Sequence, residues 1–428
     1  MRLINTESYK LQDFTDSHNT PKYAILSHRW QEDEVLCKDY RKGRYDREAQ
    51  GYLKIKRCCD FAQRRGQQWV WIDTCCIDKS SSAELSEAIN SMFQWYSKAE
   101  ECYAYLSDVS ASVNDPQTRM HEFSSSRWWT RGWTLQELIA PKIVIFVDAL
   151  WDALGAKWSS GAKTDVHLAD IIHDITGVPL EVLAVPESRY FYSVAQRMSW
   201  AARRVTTRLE DAAYCLLGIF GVNMVLLYGE RKDAFLRLQR EVYSRTGDET
   251  LFAWPLHAHP HPKGGTIIYD TNGASGMLAE NVSRFAEMGH VRCVSTKDSY
   301  LTLTGYGAEI TIKVGASPPR AFYSRHDRRF VCLPLLSVDK RQRPQLLSES
   351  ESFDDSPFML YMHTTGCGHY GRFALPDHMK HDDMDWQPFK NDQILIVHHS
   401  KSEAFRYCSS LSFEGQYFEG QHFGHMIA

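Results

Sequence analysis

The sequence predicts an α/β fold in which helices cover both faces of a parallel β-sheet. Short apolar runs that indicate buried strands alternate with amphipathic helical patterns in the first part of the chain, and this alternation is typical of parallel sheets. The predicted strands are residues 23–27, 69–72, 102–106 and 143–147. Later segments change from helical spacing to strand-like runs. We therefore predict an α/β domain over residues 1–165, a helical extension over 166–255 and a β-rich C-terminal domain over 256–428.

Apolar spacing and end signals predict the helices between the first three strands. In the first, over residues 52–65, apolar side chains recur at helical spacing, and two arginines followed by Gly66 are a typical stop signal. The second begins at three consecutive serines and carries Glu84 and Glu87 in its first turns, where the helix dipole favours acids. Its predicted apolar stripe consists of Leu85, Ala88, Ile89, Met92, Phe93 and Tyr96.

Polar residues follow these strands at the positions where ligands bind in parallel sheets, just beyond the carboxyl ends. Asp73 follows the second predicted strand, and Ser107 and Asp108 follow the third. The first strand ends in Ser27, His28, Arg29 and Trp30. Because the carboxyl ends of parallel strands meet at one edge of the sheet, we expect these side chains to form one binding site.

The most distinctive stretch is residues 127–138, where three tryptophans fall within six positions and precede Glu137. If a helix begins at Gly132, Trp133 and Glu137 lie four residues apart on one face. An aromatic wall would raise the pKa of the carboxyl by desolvation and would offer a stacking platform to a flat ring. A core helix whose glutamate pairs with an arginine is the competing interpretation, since structural ion pairs also perturb pKa values.

Composition argues against several functional classes. A net charge of −4 and a pI near 6.5 give no sign of a nucleic-acid surface. No apolar run reaches the length of about eighteen residues that a membrane span needs, and the first residues lack the apolar core of a signal peptide. The eleven cysteines are odd in number and form no C-x-x-C pattern, which predicts a reducing compartment, cytosol or nucleus, and no metal site. Of the two compartments, we expect a cytoplasmic location. The motifs of nucleotide loops, serine hydrolases and zinc proteases are missing from the sequence.

Residues 256–428 contain strand-like runs separated by turn residues, which predicts antiparallel β-structure. The runs are residues 266–269, 301–303, 309–314, 330–333, 358–362 and 393–397. Three alternating histidines, His257, His259 and His261, are better explained as part of a solvated linker than as metal ligands. No pattern in this region indicates chemistry, so its role stays open.

Three long motifs resemble the fungal heterokaryon-incompatibility (HET) domain. They occur in the family's order at residues 23–30 (YAILSHRW), 71–79 (WIDTCCIDK) and 131–138 (RGWTLQEL), and a weaker likeness covers most of the helical extension. The chain has Gln31 and Val225 where the family usually has glycine and proline. The resemblance implies a fungal allorecognition or cell-death effector that acts with a protein partner in heterokaryon incompatibility.

The HET domain is in turn similar to the TIR domain, a flavodoxin-like α/β fold of cell-death and innate-immune proteins. Trp133 and Glu137 match the tryptophan–x–x–x–glutamate of TIR domains that cleave NAD+, so this resemblance implies that Glu137 is the catalytic carboxylate. The residues expected to bind the substrate are Ser27, His28, Arg29, Trp30, Asp73 and Trp133. NAD+ would be the substrate, with no cofactor and no metal, and the TIR-like domain would form a homo-oligomer.

One carboxylate suffices for this reaction. A glycosidase needs a second acid to protonate its leaving group, whereas nicotinamide leaves NAD+ as a neutral pyridine. The acid has only to stabilise the ribosyl cation and to hold the bond in line. The alternative, from another class, is a non-enzymatic TIR-like adaptor that self-associates and recruits a partner, and the lack of a recognisable phosphate-binding loop favours it.

Overall fold

The computed structural model describes residues 1–14, 20–110, 115–158, 166–254 and 278–293, together with the backbone of ten further strands between residues 258 and 398. The chain forms two compact units, each made of two segments. The first consists of Met1–Phe191 and Arg203–Ala234, and the second of Tyr192–Ala202 and Phe235–Ala428. The domain boundaries that the sequence suggests at residues 165 and 255 stay predictions.

The first unit is built on a seven-stranded sheet with the strand order β2-β1-β4-β3-β5-β6-β7. Its strands are β1 (Arg2–Asn5), β2 (Leu11–Asp13), β3 (Ala24–His28), β4 (Trp69–Trp71), β5 (Glu101–Tyr105), β6 (Val144–Val147) and β7 (Ala153–Ala156). The four central strands, β4, β3, β5 and β6, run parallel. β3 and β6 are buried along their whole length, as parallel strands covered on both faces are.

The prediction of a parallel sheet is confirmed for these four central strands and is wrong for the edges. β1 pairs antiparallel with both β2 and β4, and β7 pairs antiparallel with β6. Antiparallel neighbours can be joined by a short turn, whereas parallel neighbours need a long crossover. Short connections lead from β1 to β2 and from β6 to β7, so both pairs form without an intervening helix. Each of these edge strands has only three or four residues, too few for a clear apolar alternation.

The helices of the first unit are α1 (Cys37–Lys42), α2 (Gln50–Arg64), α3 (Asp73–Cys76), α4 (Ser82–Lys98), α5 (Pro116–Ser125), α6 (Thr134–Ile139), α7 (Ala169–Thr176), α8 (Leu180–Ala184), α10 (Asp211–Tyr214) and α11 (Leu217–Phe220). α4 begins where the serines predict a start, since the Ser81 hydroxyl accepts a hydrogen bond from the backbone N–H of Glu84 at 3.3 Å. The members of the predicted stripe that α4 buries are Ala88, Ile89, Met92 and Tyr96. Phe93 is half-buried and lies against Gly218 of α11.

Aromatic packing fixes the segment that precedes α6. A 3₁₀ turn, Arg127–Thr130, places Trp128 and Trp129 in the interior. Both rings contact Phe146 of β6, with ring centroids 5.7 and 5.4 Å from that of the phenylalanine. The two indoles also meet edge to face at 4.8 Å, and aromatic pairs of this kind contribute about 0.5–1.5 kcal/mol beyond their burial. β6 therefore holds both tryptophans in fixed positions.

The second unit contains α9 (Val194–Ala201) and most of α12 (Asp233–Thr246). Ser193 and Gln196 form a reciprocal capping box at the start of α9. The strands that follow are β8 (Ala258–Pro260), β9 (Ile267–Tyr269), β10 (Val291–Cys293), β11 (Leu301–Leu303), β12 (Gly307–Ile312), β13 (Phe322–Ser324), β14 (Phe330–Asp339), β15 (Pro357–Gly366), β16 (His369–Arg372), β17 (Trp386–Pro388) and β18 (Gln393–His398). Nine of them form one sheet, in which β16 and β18 pair in parallel. A separate β-rich domain over residues 256–428 stays a prediction, and the alternating His257 and His261 lie outside the described residues.

Candidate active site

Glu137 lies in the interior of the first unit, on the short helix α6. All six residues of this helix are buried, and Glu137 is only 5% exposed. Its Oε2 accepts a hydrogen bond of 2.5 Å from the Ser27 hydroxyl at the end of β3. Its Oε1 accepts one of 3.2 Å from the Arg131 guanidinium. The structure thus brings together Ser27 and Glu137, which are 110 residues apart in the sequence.

The Ser27 hydroxyl also accepts a hydrogen bond, from the indole N–H of Trp128 at 2.9 Å. Trp128, Ser27 and Glu137 therefore form a directed chain, in which the indole donates to the hydroxyl and the hydroxyl donates to the carboxylate. Trp128 and Ser27 are almost completely buried, so this chain is shielded from water. Hydrogen bonds to a carboxylate are stronger than neutral ones, and a low local dielectric strengthens them further.

Burial raises the pKa of Glu137 to about 7, because the interior solvates its negative charge poorly. Asp73 adds to the increase by like-charge repulsion, whereas Arg131, the Ser27 hydrogen bond and Arg204 oppose it. A carboxyl that titrates near neutral pH can both hold and release a proton under physiological conditions. Groups of this kind are concentrated at functional sites.

A separate segment of the first unit fixes the backbone around Arg131. The Gly132 N–H donates to the Val205 carbonyl at 2.8 Å, and the Val205 N–H donates to the Thr130 carbonyl at 2.7 Å. The Arg204 guanidinium donates to the carbonyl of Arg131 at 3.1 Å. A Cβ on Gly132 would stand 2.5 Å from a methyl carbon of Thr206, so the close approach of the two segments requires glycine here.

Lys157 supports the other end of α6. Its ammonium is completely buried and donates to the carbonyls of Leu138 at 3.0 Å and Pro141 at 2.6 Å. A cation at the carboxyl end of a helix satisfies free carbonyls and favours the helix dipole. Burial lowers the pKa of Lys157 to about 7. The helix that carries Glu137 is therefore anchored at both ends by buried hydrogen bonds.

A second polar group, which contains His28 and Asp73, lies beside the first. The Nε2 atom of the buried His28 lies 3.6 Å from Glu34 Oε1 and 3.8 Å from Asp73 Oδ1. Burial, and then Lys54, lower the pKa of His28. Although burial alone would raise the pKa of Glu34, its contacts with His28 and Lys54 lower it to about 2. Glu34 and Lys54 form a buried ion pair next to the His28 imidazole.

Trp30 stands at the exposed rim of this group. Its indole N–H donates to Asp73 Oδ2 at 2.8 Å, and the Lys79 ammonium lies 3.2 Å from the centroid of its ring. The pKa of Asp73 is below its usual range, because Lys79, His28 and Arg131 outweigh the opposing effect of burial. Trp30 is 43% exposed, so one accessible aromatic surface borders the site.

Arg29 lies among other cationic side chains. Burial lowers the pKa of this half-buried guanidinium, and repulsion from Arg127 and Arg131 lowers it further, while Asp108 opposes the change. Asp108 itself accepts a hydrogen bond of 3.2 Å from Arg127. The charge of this cluster is suited to an anionic ligand.

Trp133 is the predicted site residue that the structure directs elsewhere. It is half-buried, and its indole N–H donates to Asp211 Oδ2 at 3.3 Å. The tryptophan joined to Glu137 through hydrogen bonds is Trp128, which precedes α6 in the 3₁₀ turn. Trp133 does precede Glu137 by one helical turn, with its carbonyl oxygen 3.5 Å from the Glu137 backbone nitrogen, but its indole N–H binds Asp211 of α10.

Sequence reasoning missed four residues that complete the site: Glu34, Lys54, Lys79 and Lys157. Glu34 falls in a charged stretch that resembles a surface excursion, yet its side chain is only 5% exposed. Lys157 follows the weak edge strand β7, where no motif marks it. The one available signal was Lys79, which closes the second motif six residues after Asp73.

Comparisons with known proteins bear on the same residues. Residues 23–122 match the family model described as "Heterokaryon incompatibility protein (HET)". This range includes Ser27, His28 and Asp73 and ends before Glu137. The "Vegetative incompatibility protein HET-E-1" of Podospora anserina is 48% identical to this chain over 230 residues. The resemblance to the HET domain is confirmed; the family model spans the first two motifs, and the third, at residues 131–138, lies beyond the matched range.

The alignment with this relative is partial on both sides. It covers 53% of this chain and 16% of the relative, so the chain spans a small part of that protein's length. No solved structure matches the chain. Among the helices of the described residues, none combines the length and the apolar composition needed to cross a bilayer.

Proposed function

We propose that this chain, which carries a HET domain, takes part in heterokaryon incompatibility, and that its first unit hydrolyses NAD+ to nicotinamide and ADP-ribose. The first half of the proposal is supported by the name of the 48% identical relative, a vegetative incompatibility protein. The second half depends on one observation, the buried Glu137 carboxyl whose pKa is raised to about 7 beside Ser27 and Arg131. Depletion of NAD+ would then cause cell death.

The order of the central strands supports a TIR-like, flavodoxin-like interpretation of the fold. Taken in chain order, the four parallel strands stand in the sheet as second, first, third and fourth. The flavodoxin-like order is 2-1-3-4-5, and its ligand crevice lies where the order reverses. In this sheet the reversal falls at β3 and β5. Ser27 is the next-to-last residue of β3, and Glu137 lies in the connection from β5 to β6, so both residues are close to that point.

Charge and aromatic surface near Glu137 also fit NAD+. Arg29, Arg127 and Arg131 supply positive charge for a diphosphate, which guanidinium groups bind through paired hydrogen bonds. The half-exposed Trp30 offers a ring on which nicotinamide or adenine can stack. Arg131, which pairs with Oε1 of Glu137, is itself 21% exposed, so the guanidinium beside the carboxylate is accessible to a ligand phosphate.

In the proposed reaction, ionised Glu137 faces the ribose carbon that bears nicotinamide. Its negative charge stabilises the ribosyl cation that develops as the C–N bond breaks, and the low-dielectric surroundings make that stabilisation large. Nicotinamide takes the bonding electron pair and leaves neutral. Water then adds to the ribosyl carbon, and one proton is released to solvent.

Nicotinamide release from NAD+ by the purified 428-residue chain tests this proposal. Wild-type protein should release nicotinamide, and the Glu137→Gln variant should release far less while it keeps a cooperative melting transition. TIR-like domains act as homo-oligomers, so the specific activity of the wild type should rise with protein concentration. A folded wild type that leaves NAD+ intact at every concentration would refute the hydrolysis.

One observation favours the non-enzymatic alternative. Both carboxylate oxygens of Glu137 already have hydrogen-bond partners, and the residue is almost fully buried. A carboxylate in that state can serve as a structural anchor for α6 in an adaptor that self-associates and recruits a protein partner. In that case Glu137→Gln would lower stability and would leave partner binding as the measurable function. Either activity is proposed to take place in the cytoplasm.

A further inference from the structure

We propose that Ser27 is a nucleophile: when NAD+ is bound, its Oγ attacks the ribose carbon that bears nicotinamide and Ser27 becomes ADP-ribosylated. The inference rests on the proposed NAD+ cleavage and adds a covalent step to it. It concerns an activity, serine ADP-ribosylation within the same polypeptide, that differs from simple hydrolysis in its product.

The first support is the geometry around the hydroxyl. A serine becomes nucleophilic when a base accepts its proton and a third group orients that base. Here the Ser27 Oγ–H points at Glu137 Oε2 at 2.5 Å, and Arg131 holds the other carboxylate oxygen. The Trp128 indole N–H lies 2.9 Å from Oγ and would stabilise the negative charge that develops on it. Base, nucleophile, orienting cation and hydrogen-bond donor are thus all in contact.

The protonation state of the base agrees with this role. The pKa of Glu137 is raised to about 7, so the carboxylate is basic enough to take a proton and is still substantially ionised at neutral pH. Thr134 is also a buried hydroxyl nearby, but its single proton is directed at the carbonyl oxygens of Trp128 and Arg131, each 2.8 Å away, and its oxygen accepts from Arg204. Ser27 is therefore the hydroxyl that donates to Glu137.

The step balances without any further reactant. Glu137 takes the proton of the Ser27 hydroxyl as Oγ forms a bond to the ribose carbon. The bond from that carbon to the nicotinamide nitrogen breaks, and its electron pair leaves with neutral nicotinamide. The products are ADP-ribosyl-Ser27, protonated Glu137 and nicotinamide. If water then replaces Ser27, Glu137 returns its proton to Oγ, and the net reaction is NAD+ hydrolysis with release of one proton.

The direct test is to locate the adduct on wild-type protein. The chain is mixed with NAD+, quenched in acid at times from milliseconds to minutes, and digested for peptide mass spectrometry with fragmentation that preserves the sugar linkage. We expect one ADP-ribosyl group on the peptide that contains Ser27, formed together with nicotinamide. Because this measurement uses the wild type, it does not depend on whether a variant folds.

Variants separate the covalent step from the cleavage. Ser27→Ala should lose the adduct and at least a hundredfold in the rate of nicotinamide release, within the about 10²–10⁴-fold range of assisted proton transfer. Thr74→Val is the matched control, since it removes another fully buried hydroxyl, for which the structure shows no hydrogen-bond partner. It should leave both readouts unchanged. Glu137→Gln should remove the adduct as well.

The possible outcomes distinguish failure of the Ser27 nucleophile from failure of NAD+ cleavage itself. Nicotinamide release with no adduct on Ser27 at any quench time, or full turnover by Ser27→Ala, would refute the nucleophile and leave NAD+ hydrolysis standing. An adduct that maps to a different residue would refute Ser27 in the same way. Neither nicotinamide nor adduct, from folded wild-type protein, would refute both proposals.

Discussion

Two buried glutamates of the first unit, Glu137 and Glu101, lie near opposite ends of the parallel strands. Each is paired with an arginine, and their exposed fractions are nearly equal at 5% and 7%. Glu101 begins β5 at the amino edge, where Arg65 binds both of its oxygens at 2.8 and 2.9 Å and Tyr103 donates a third hydrogen bond at 2.9 Å. The Glu137 carboxylate lies near the carboxyl ends of the strands, where it binds Ser27, and it has a single arginine contact of 3.2 Å.

The difference lies in how fully each buried carboxylate is compensated, and the proposed catalytic role of Glu137 depends on that difference. Two parallel guanidinium bonds compensate Glu101 for its burial, as a structural ion pair must do to be tolerated. Glu137 has a longer single contact and a hydroxyl in place of the second N–H, and its pKa is raised to about 7. Burial beside an arginine is thus common to both. Of the two acids, only Glu137 lacks a pair of guanidinium hydrogen bonds, and only Glu137 lies near the carboxyl ends of the strands, where ligands bind.

The largest expected effect is on catalysis, and it should appear when Glu137 is substituted but not when Glu101 is. Glu137→Gln keeps the size of the side chain but removes the charge that would face the ribosyl cation in the proposed reaction, so turnover should fall about 10²–10³-fold. Glu101→Gln is the matched control and should keep wild-type turnover per folded molecule. Nicotinamide release at fixed protein concentration measures both. Equal losses of turnover in the two variants would contradict a special role for Glu137.

The next effect is on stability, and here Glu101→Gln should be the more damaging of the two variants. Glu101→Gln leaves the half-buried Arg65 charge without its carboxylate, so the free energy of unfolding should fall by about 2–3 kcal/mol. Glu137→Gln should change it little or raise it, because a poorly solvated carboxylate is removed. Urea denaturation followed by tryptophan fluorescence gives both values. A large loss in Glu137→Gln would assign that residue to a structural ion pair.

The pH dependence of stability should also separate wild type from Glu137→Gln. The pKa of Glu137 rises from 4.5 to about 7 on folding, so the folded protein retains a proton that the unfolded chain has already released. The free energy of unfolding of the wild type should therefore fall by about 2–3 kcal/mol, relative to the variant, as pH rises from 4.5 to 7. The pKa of Glu34, about 2, places its own effect below this window. Parallel curves for the two proteins would contradict the raised pKa.

The smallest effect concerns Lys157, whose buried ammonium binds carbonyls at the end of α6, the helix that carries Glu137. Lys157→Met should lower the free energy of unfolding by about 1–2 kcal/mol, because the carbonyls of Leu138 and Pro141 lose their donor while a costly buried charge disappears. Turnover should fall as well, since the end of the helix that carries Glu137 is released. Lys142→Met, at an exposed lysine nearby, is the control and should change neither. Unaltered turnover in a destabilised Lys157→Met would limit Lys157 to folding.

The sequence was sufficient for the parts of the site that follow from strand periodicity. Ser27 and Asp73 were expected at one edge because each follows an apolar run, and Glu137 was expected to be desolvated because tryptophans surround it. The edge strands could not be foreseen, because β2 is three residues long and has no buried position. The choice of Trp128 over Trp133 depends on a 3₁₀ turn that periodicity does not reveal.

The remaining site contacts are long-range and have no local signature. Val205 and Gly132 pair through backbone groups, and although the close approach requires glycine at position 132, nothing in the sequence identifies Val205 as its partner. Lys157 is buried because of where β7 lies, and lysine is among the residues least expected in a core. Such contacts are set by the tertiary fold and become visible only when the whole unit is assembled.

The pairing of Arg131 with Arg204 and Val205 has a consequence for the moment at which the protein is made. The Arg204 guanidinium and the Arg131 carbonyl that it binds are 73 residues apart in the chain. At a synthesis rate of about 5–20 residues per second, about 4–15 seconds separate their appearance from the ribosome. All seven strands of the first unit's sheet, which end at Ala156, are synthesised before that interval closes. A nascent chain that stalls before Arg204 would therefore hold all seven strands of the sheet but would lack the hydrogen bonds that Arg204 and Val205 make to the segment just before α6.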